Sequence, residues 1–388
     1  MMKKRLFRAW EKIIGEERDG IVPLLPLALL ILLSWVYGLC VRARLWMHRR
    51  GLLRAGRIDA VVMSVGNLTL GGTGKTPFVI YLARRLRERG IPVAIIAQGY
   101  GRKAAAGLLV SEGGGPLVSA EEVGDEAYLF AERLPDIPVL VSRDRVRVGT
   151  LAVSRFGSRV IILDDAFQCL GVRREVDLVL VDATRRLRTD RLFPAGYLRE
   201  PAGGIARASA VVVTRVDESD RDWEKELVSM DAVRTLPIDP VECRFRPMWL
   251  FQLLAGERRS LEWLRGRPVI ALSGIGNPAS FERTLCGLGA EVVSSLRYPD
   301  HWWYRARDLE EAQQRAAAAG AQAVITTEKD AVRIAAAGID DVMGGRDPAG
   351  TKAPVLVLVV ELEVARGEEG LWGLIDGALA DRGVLVKA

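Results

Sequence analysis

Between Val65 and Pro77 the chain reads Val-Gly-Asn-Leu-Thr-Leu-Gly-Gly-Thr-Gly-Lys-Thr-Pro, and that ending suits phosphate capture. Gly71, Gly72, Thr73 and Gly74 can close backbone N–H groups around phosphate oxygens. Lys75 then reaches the β- and γ-phosphates, and Thr76 offers its hydroxyl to Mg²⁺. A strict G-x-x-x-x-G-K-T pattern needs glycine at position 69, where Thr69 stands, with Gly66 displaced upstream. A glycine turn without chemical role is the competing reading. The Lys-Thr pair, set between an apolar run and a helical one, argues against it. The residues predict a nucleoside triphosphate site.

Other residues fit around such a site. Ile161-Ile-Leu-Asp164-Asp165 puts two carboxylates at the end of an apolar strand, where a P-loop protein keeps a metal-ordering acid. Spacing does not say which of the two faces the metal. Gly124-Asp125-Glu126 stands at a helix start, where an acid is commonly an N-cap. Asp125 could equally accept a proton from an attacking hydroxyl. His301, in Tyr298-Pro-Asp-His-Trp-Trp-Tyr304, reads either as a solvated loop histidine or as a partner reaching Asp125 from an opposite lobe. Gln98-Gly-Tyr-Gly-Arg102-Lys103 suits a phosphate or charged head group, or is an ordinary glycine turn with solvated cations. Arg199 and Glu200 sit in an aperiodic loop that can face a site, and Thr327-Glu-Lys-Asp330 ends a later strand.

These residues need elements to hold them. From residue 60 onward apolar runs alternate with helical spacing, which predicts an α/β fold with a parallel sheet covered on both faces. Strands are expected at 60–65, 93–97, 139–142, 160–163, 176–181 and 210–214, with a short hairpin over 107–118. The rhythm breaks at Pro237, Pro240 and Pro247. A second series follows at 269–272, 292–296, 323–326 and 355–360. The expected architecture is a P-loop NTPase-like lobe over 51–236 and a smaller Rossmann-like lobe over 237–388 closing a cleft, behind an anchor in 1–50.

Ile21 to Val41 carries no charge and has the length of a transmembrane helix, with Pro23 and Pro26 near its start. Before it lies a basic, partly amphipathic stretch, Met1 to Asp19. The run is long for a signal peptide and no A-x-A-like site follows it. Because ATP is a cytosolic reagent, the catalytic body belongs on the cytoplasmic side. The net charge of +6 suits an anionic lipid surface or a phosphorylated substrate and is too small to argue nucleic acid. Four scattered cysteines and two histidines argue against a structural zinc site or a disulfide framework.

Taken together, Val65–Pro77, Gly99-Tyr-Gly-Arg102, Gly124-Asp-Glu126, Asp164-Asp-Ala-Phe-Gln168, Pro194-Ala-Gly-Tyr-Leu-Arg-Glu-Pro201, Asp300-His301 and Thr327-Glu-Lys-Asp330 resemble one family. It is the tetraacyldisaccharide 4′-kinases of lipid A synthesis, and the off-register P-loop is itself a trait of that family. The resemblance implies ATP and Mg²⁺ as cofactors. It implies γ-phosphoryl transfer to the 4′-hydroxyl of a membrane-embedded acylated disaccharide 1-phosphate, at the inner membrane's cytoplasmic face. It implies catalysis by Lys75 and an Asp125–His301 pair, with Asn67, Arg102, Arg199 and Glu200 near the substrate. No nucleic acid and no obligate protein partner is implied. Ala166, Cys169 and Ala97-Gln98 stand where the family usually has Gly, His and Ser-Arg. The rival reading is a membrane-tethered regulatory NTPase or GTPase switch, for which Thr214-Arg-Val-Asp217 is a faint guanine-loop resemblance.

Overall fold

Short β-branched runs that are apolar throughout favour strands buried on both faces, and the amphipathic stretches between them supply the covering helices. In the computed structural model, Ile14 and residues 24–98, 108–187, 190–338 and 352–384 are described. Arg102 and nearly all of the amphipathic stretch 1–19 lie outside them.

The chain begins with α1 (Leu24–Arg49), then β1 (Val61–Asn67), α2 (Lys75–Glu88), β2 (Val93–Ala97) and β3 (Leu108–Ser111). There follow α3 (Asp125–Arg133), β4 (Val139–Val141), α4 (Arg145–Phe156), β5 (Val160–Asp164), β6 (Val176–Asp182) and β7 (Ala210–Thr214). The remainder holds β8 (Val241–Gln252), β9 (Arg258–Arg259), β10 (Pro268–Ser273), β11 (Glu291–Arg297) and β12 (Ala323–Thr327). Last come α5 (Glu328–Ala335), β13 (Val355–Arg366) and α6 (Glu368–Asp381).

The chain divides into two compact units, and neither is a contiguous stretch. The first takes Met1–Ile96, Asp144–Arg244 and Val364–Ala388; the second takes Ala97–Arg143 and Phe245–Glu363. This differs from the expected single break near 236. Residues 97–143 group with the later α/β series because α3 packs on α5 and β3 pairs with β4.

In the first unit the parallel order is β2-β5-β1-β6-β7, followed by the opening residues of β8. β1, β5 and β6 are buried along their whole length. Their carboxyl ends bring Asn67, Asp164 and Asp182 to one edge, with Val65 in register with Asp164. That is the edge where open α/β sheets gather ligands. Phe167, Leu198, Val179, Val211 and Val213 form an apolar cluster in this unit. Gly66 permits the close approach there, since a Cβ would stand 2.6 Å from the backbone nitrogen of Phe167.

In the second unit β11-β10-β12-β13 run parallel, and β8 pairs antiparallel with β9. β8 is the strand that the sequence pattern hid. Pro247 lies inside it and its burial alternates along part of its length, so it lacks the continuous apolar run of a central strand. The expected hairpin over 107–118 forms only in part: Leu117 N–H donates to Val110 O, while β3 takes β4 as its strand partner. Trp302 is a packing residue, set against the second unit's core and donating to Asp308 at 3.1 Å.

Candidate active site

Gly74 adopts the left-handed conformation at φ 84° directly before α2, a backbone that favours a residue without Cβ. It delivers Lys75, 8% exposed, and Thr76 at the helix start. The loop ahead of them is tied down by neighbours. Asn67 Nδ2 donates to Thr73 Oγ1 at 2.9 Å. Thr214 Oγ1 donates to Thr73 O and Arg215 Nη1 to Gly72 O, both at 3.0 Å. Arg185 Nη1 donates to Leu70 O at 3.0 Å. Asn67 thus holds the phosphate loop in shape with its side chain. Arg215 is also buried against Asp182, which makes Thr214 and Arg215 a brace behind the loop.

Asp165, at φ 45° just past β5, points its carboxylate at this loop. Its Oδ1 lies 3.5 Å from Lys75 Nζ, and Arg199 Nη1 donates to both carboxylate oxygens at 2.8 and 3.0 Å. Burial alone would raise its pKa; the charges of Lys75 and Arg199 outweigh that and hold the carboxyl well below its usual range. Asp164 is fully buried, and Arg145 Nη2 donates to its carbonyl at 2.9 Å. Ala166 falls outside the left-handed region, so its methyl is tolerated there.

Glu200 is 2% exposed and is engaged by Arg207 at 2.7 and 3.0 Å and by Gln168 Nε2 at 2.9 Å. The same Gln168 amide donates to Asn67 O at 2.8 Å. A line of contacts therefore runs from Arg207 through Glu200 and Gln168 to the strand that bears the phosphate loop. Nothing in the residue spacing pointed to Gln168 or Arg207 as its members.

The apolar helix is bonded into the same region. Tyr37 Oη donates to Arg199 O at 2.6 Å, Ser34 Oγ donates to Leu192 O at 2.8 Å, and Arg44 donates to Gln168 O. α1 thus fixes the backbone of the residue whose guanidinium grips Asp165. Tyr37→Phe removes one such bond, worth about 1 kcal/mol. We expect turnover to fall severalfold with the KM for ATP little changed, measured by steady-state kinetics in detergent.

In the second unit, Asp125 and His301 meet. His301 Nδ1 lies 3.1 Å from both Asp125 oxygens. The pairing expected across two lobes is in fact internal to one unit, because α3 belongs with the later series. Gly124 takes the N-cap position of α3, so Asp125 is the first helical residue and its carboxylate turns to the histidine. His301 sits at φ 57°, a left-handed conformation uncommon outside glycine. Arg333 Nε stands 3.4 Å from Asp125 Oδ2. Arg333 is itself fully buried and fixed by Asp330, which also accepts from Tyr304 Oη at 2.7 Å and Gly274 N at 2.9 Å. Lys329 pairs with Glu126. The Thr327–Asp330 segment and Arg333 on α5 therefore support Asp125 from behind. The sequence places Thr327–Asp330 at the end of a strand but gives no sign of Arg333.

Burial raises the Asp125 pKa, but the hydrogen bond and charge of His301, with Arg333 and Lys329, hold it well below the usual carboxylate range. Burial lowers the His301 pKa, and its bond to Asp125 more than offsets that, raising it above the ordinary imidazole value. Both shifts favour the carboxylate–imidazolium form of the pair.

The oxygen donors Thr76, Asp164 and Asp165 suit a hard cation, and among the described residues no cluster of three or more His, Cys, Asp or Glu could hold a metal unaided. Mg²⁺ commonly binds through one or two carboxylates, retained waters and substrate phosphates.

The family model described as tetraacyldisaccharide-1-P 4′-kinase matches residues 26–380. The tetraacyldisaccharide 4′-kinase of Anaeromyxobacter sp. (strain Fw109-5) is 38% identical over 368 residues, covering 93% of this chain and 94% of that one. The Geobacter sulfurreducens enzyme of the same name is 37% identical, covering 84% and 90%. The crystal structure of LpxK from Aquifex aeolicus in complex with ATP superposes with a TM-score of 0.69 at 30% identity, over 91% of this chain and 99% of that one. A regulatory switch is not favoured beside these matches. The chain belongs to the tetraacyldisaccharide-1-P 4′-kinase family and is an ATP-dependent phosphotransferase of lipid A synthesis.

Proposed function

We propose that Gly71 to Thr76 wrap the ATP phosphates, with Lys75 balancing charge on the phosphoryl group in flight. Thr76 with Asp164 and Asp165 would hold Mg²⁺, which when bound supplies charge neutralisation at the β- and γ-phosphates. Arg199 keeps Asp165 directed at Lys75. Asp125, supported by His301, takes the proton of the 4′-hydroxyl as that oxygen attacks the γ-phosphorus and the bond from phosphorus to the β,γ-bridging oxygen breaks, releasing ADP. In a loose phosphoryl-transfer transition state the hydroxyl is still largely protonated, so a well-placed carboxylate of low pKa suffices. Glu200 acts by positioning, through Gln168.

The observation that carries this reading is the cluster of Lys75, Asp165 and Arg199 at the carboxyl end of β5, beside the phosphate loop. Two cations around one carboxylate leave a net positive charge that suits a triphosphate. α1 is the one described helix long and apolar enough to cross a membrane, and Leu25, Leu29, Leu32, Trp35, Val36 and Leu39 are exposed along it. We place that surface in the inner membrane, with the catalytic units on the cytoplasmic face where ATP is available. The lipid acceptor keeps its acyl chains in the bilayer while its sugars reach the site, so tethering raises the encounter concentration.

Incubating the pure protein with γ-labelled ATP and an acylated disaccharide 1-phosphate tests the reading. We expect label in the glycolipid, abolished by chelation of Mg²⁺. Nucleotide hydrolysis without labelled lipid would reject it.

A further inference from the structure

At the foot of α1 the first unit contains a cavity of about 560 Å³ that the phosphoryl-transfer chemistry does not use. Its walls include Leu45, His48 and Arg49 from the end of α1, Arg54 from the following turn, and Arg173 and Arg207 from the body. Among the described residues no acidic side chain lines it. Arg49, Arg54 and Arg173 have no ion pair among the described residues, and Arg207 Nε is buried without a hydrogen-bond partner there. The cavity is held in shape by backbone bonds: Gly56 N donates to Gly171 O and Arg173 N to Gly56 O, both at 2.9 Å.

Arg207 is already paired with Glu200, but the three arginines without an ion pair around one concavity suit an anion, and guanidinium groups are the side chains best matched to phosphate oxygens. Its place on the chain says which anion. The cavity opens where the exposed apolar surface of α1 ends, next to exposed Trp46, Leu52 and Leu53. Tryptophan at such a junction sits at headgroup depth. A ligand filling it would have a phosphate in the arginine-lined space and hydrocarbon along the helix.

We infer that this cavity binds the phosphate headgroup of an anionic glycerophospholipid of the bilayer, separately from the lipid that is phosphorylated. The inference rests on the proposed membrane insertion of α1. Arg207 joins the cavity to Glu200 and Gln168, so the bound lipid also stiffens the contacts that lead to the phosphate loop.

Flotation of the full-length protein with vesicles tests this. Wild type is compared with Arg54→Ala/Arg173→Ala and with Arg87→Ala/Arg155→Ala, which removes two exposed arginines elsewhere in the same unit. One vesicle set is pure phosphatidylcholine and the other contains phosphatidylglycerol. The expected result is binding of all three proteins to phosphatidylcholine through α1, with a preference for phosphatidylglycerol vesicles that falls at least tenfold in the cavity variant only. Soluble glycerol 1-phosphate at millimolar concentration should erode the wild-type preference. An equal loss in both variants would reduce the effect to general surface charge and overturn the inference. An unchanged preference with a raised KM for the glycolipid would assign the cavity to the acceptor, and overturn it too. Wild type that floats with neither vesicle would overturn the membrane reading of α1 and this inference together. Unimpaired phosphatidylcholine binding with no phosphatidylglycerol preference would overturn the inference alone.

Discussion

Lys75→Ala should lower turnover by about 10²–10³-fold, the cost of deleting one preorganised group that faces developing charge. The ammonium is buried, 8% exposed, and lies 3.5 Å from Asp165 in a loop braced by Asn67, Thr214, Arg215 and Arg185. Its charge is therefore in place before substrate arrives and requires no reorganisation during transfer. Removing it should change the fold little, because Arg199 still grips both oxygens of Asp165. Lys75 is, however, the strongest of the charges that lower the Asp165 pKa, so that carboxyl should titrate at higher pH in the variant. The check is steady-state transfer of label together with a melting curve. Lost turnover with an unchanged melting temperature is the expected result. A variant that retains wild-type turnover would remove Lys75 from the chemistry.

The phosphate loop, the paired acids and most of the strands were legible in the sequence for a common reason. Each is a local pattern, such as the continuous apolar run of β5 ending in Asp164-Asp165 or the glycines just ahead of Lys75. What escaped was non-local. Arg333 lies 208 positions beyond Asp125 yet reaches its carboxylate, and no spacing rule links an internal helix residue to a distant helix start. Tyr37 looks like an interfacial aromatic in an apolar run until its hydroxyl is found on the Arg199 carbonyl. Glu200 reads as a loop acid near substrate, and its burial against Arg207 could not be read from spacing. The division of the chain escaped as well. Two excursions from one unit into the other leave no signature in composition, and Pro247 disguised β8, one of the strands that run between them.

Asp125→Ala should lower turnover by roughly 10²–10⁴-fold, the range for loss of a positioned proton acceptor. The carboxylate is 3% exposed and held by His301 Nδ1 and Arg333, so its orientation is fixed by the fold before the hydroxyl is bound. His301→Gln should cost less in turnover but should change the pH behaviour. In the wild type the Asp125 pKa is depressed, so the pair's contribution to stability is present above the ordinary carboxylate value and fades as pH falls through the lower, folded value. The His301 pKa is raised, so its contribution is complete below the ordinary imidazole value near 6.5 and is lost as pH rises through the higher, folded value. The melting-temperature gap between wild type and His301→Gln should therefore be widest near pH 5–6 and narrow on the alkaline side. The acid limb of kcat/KM should move upward in the variant, because the bond and charge of His301 are what most oppose the effect of burial on Asp125. Arg333 makes the orientation argument testable by itself. Arg333→Lys keeps a cation near Asp125 but gives up the fork that also binds Asp330, so it should reduce kcat while leaving the KM for ATP unchanged. A gap in melting temperature that stays constant from pH 5 to 9, with an unmoved acid limb, would show that Asp125 and His301 do not titrate as a pair, and the proton would have to leave by another route.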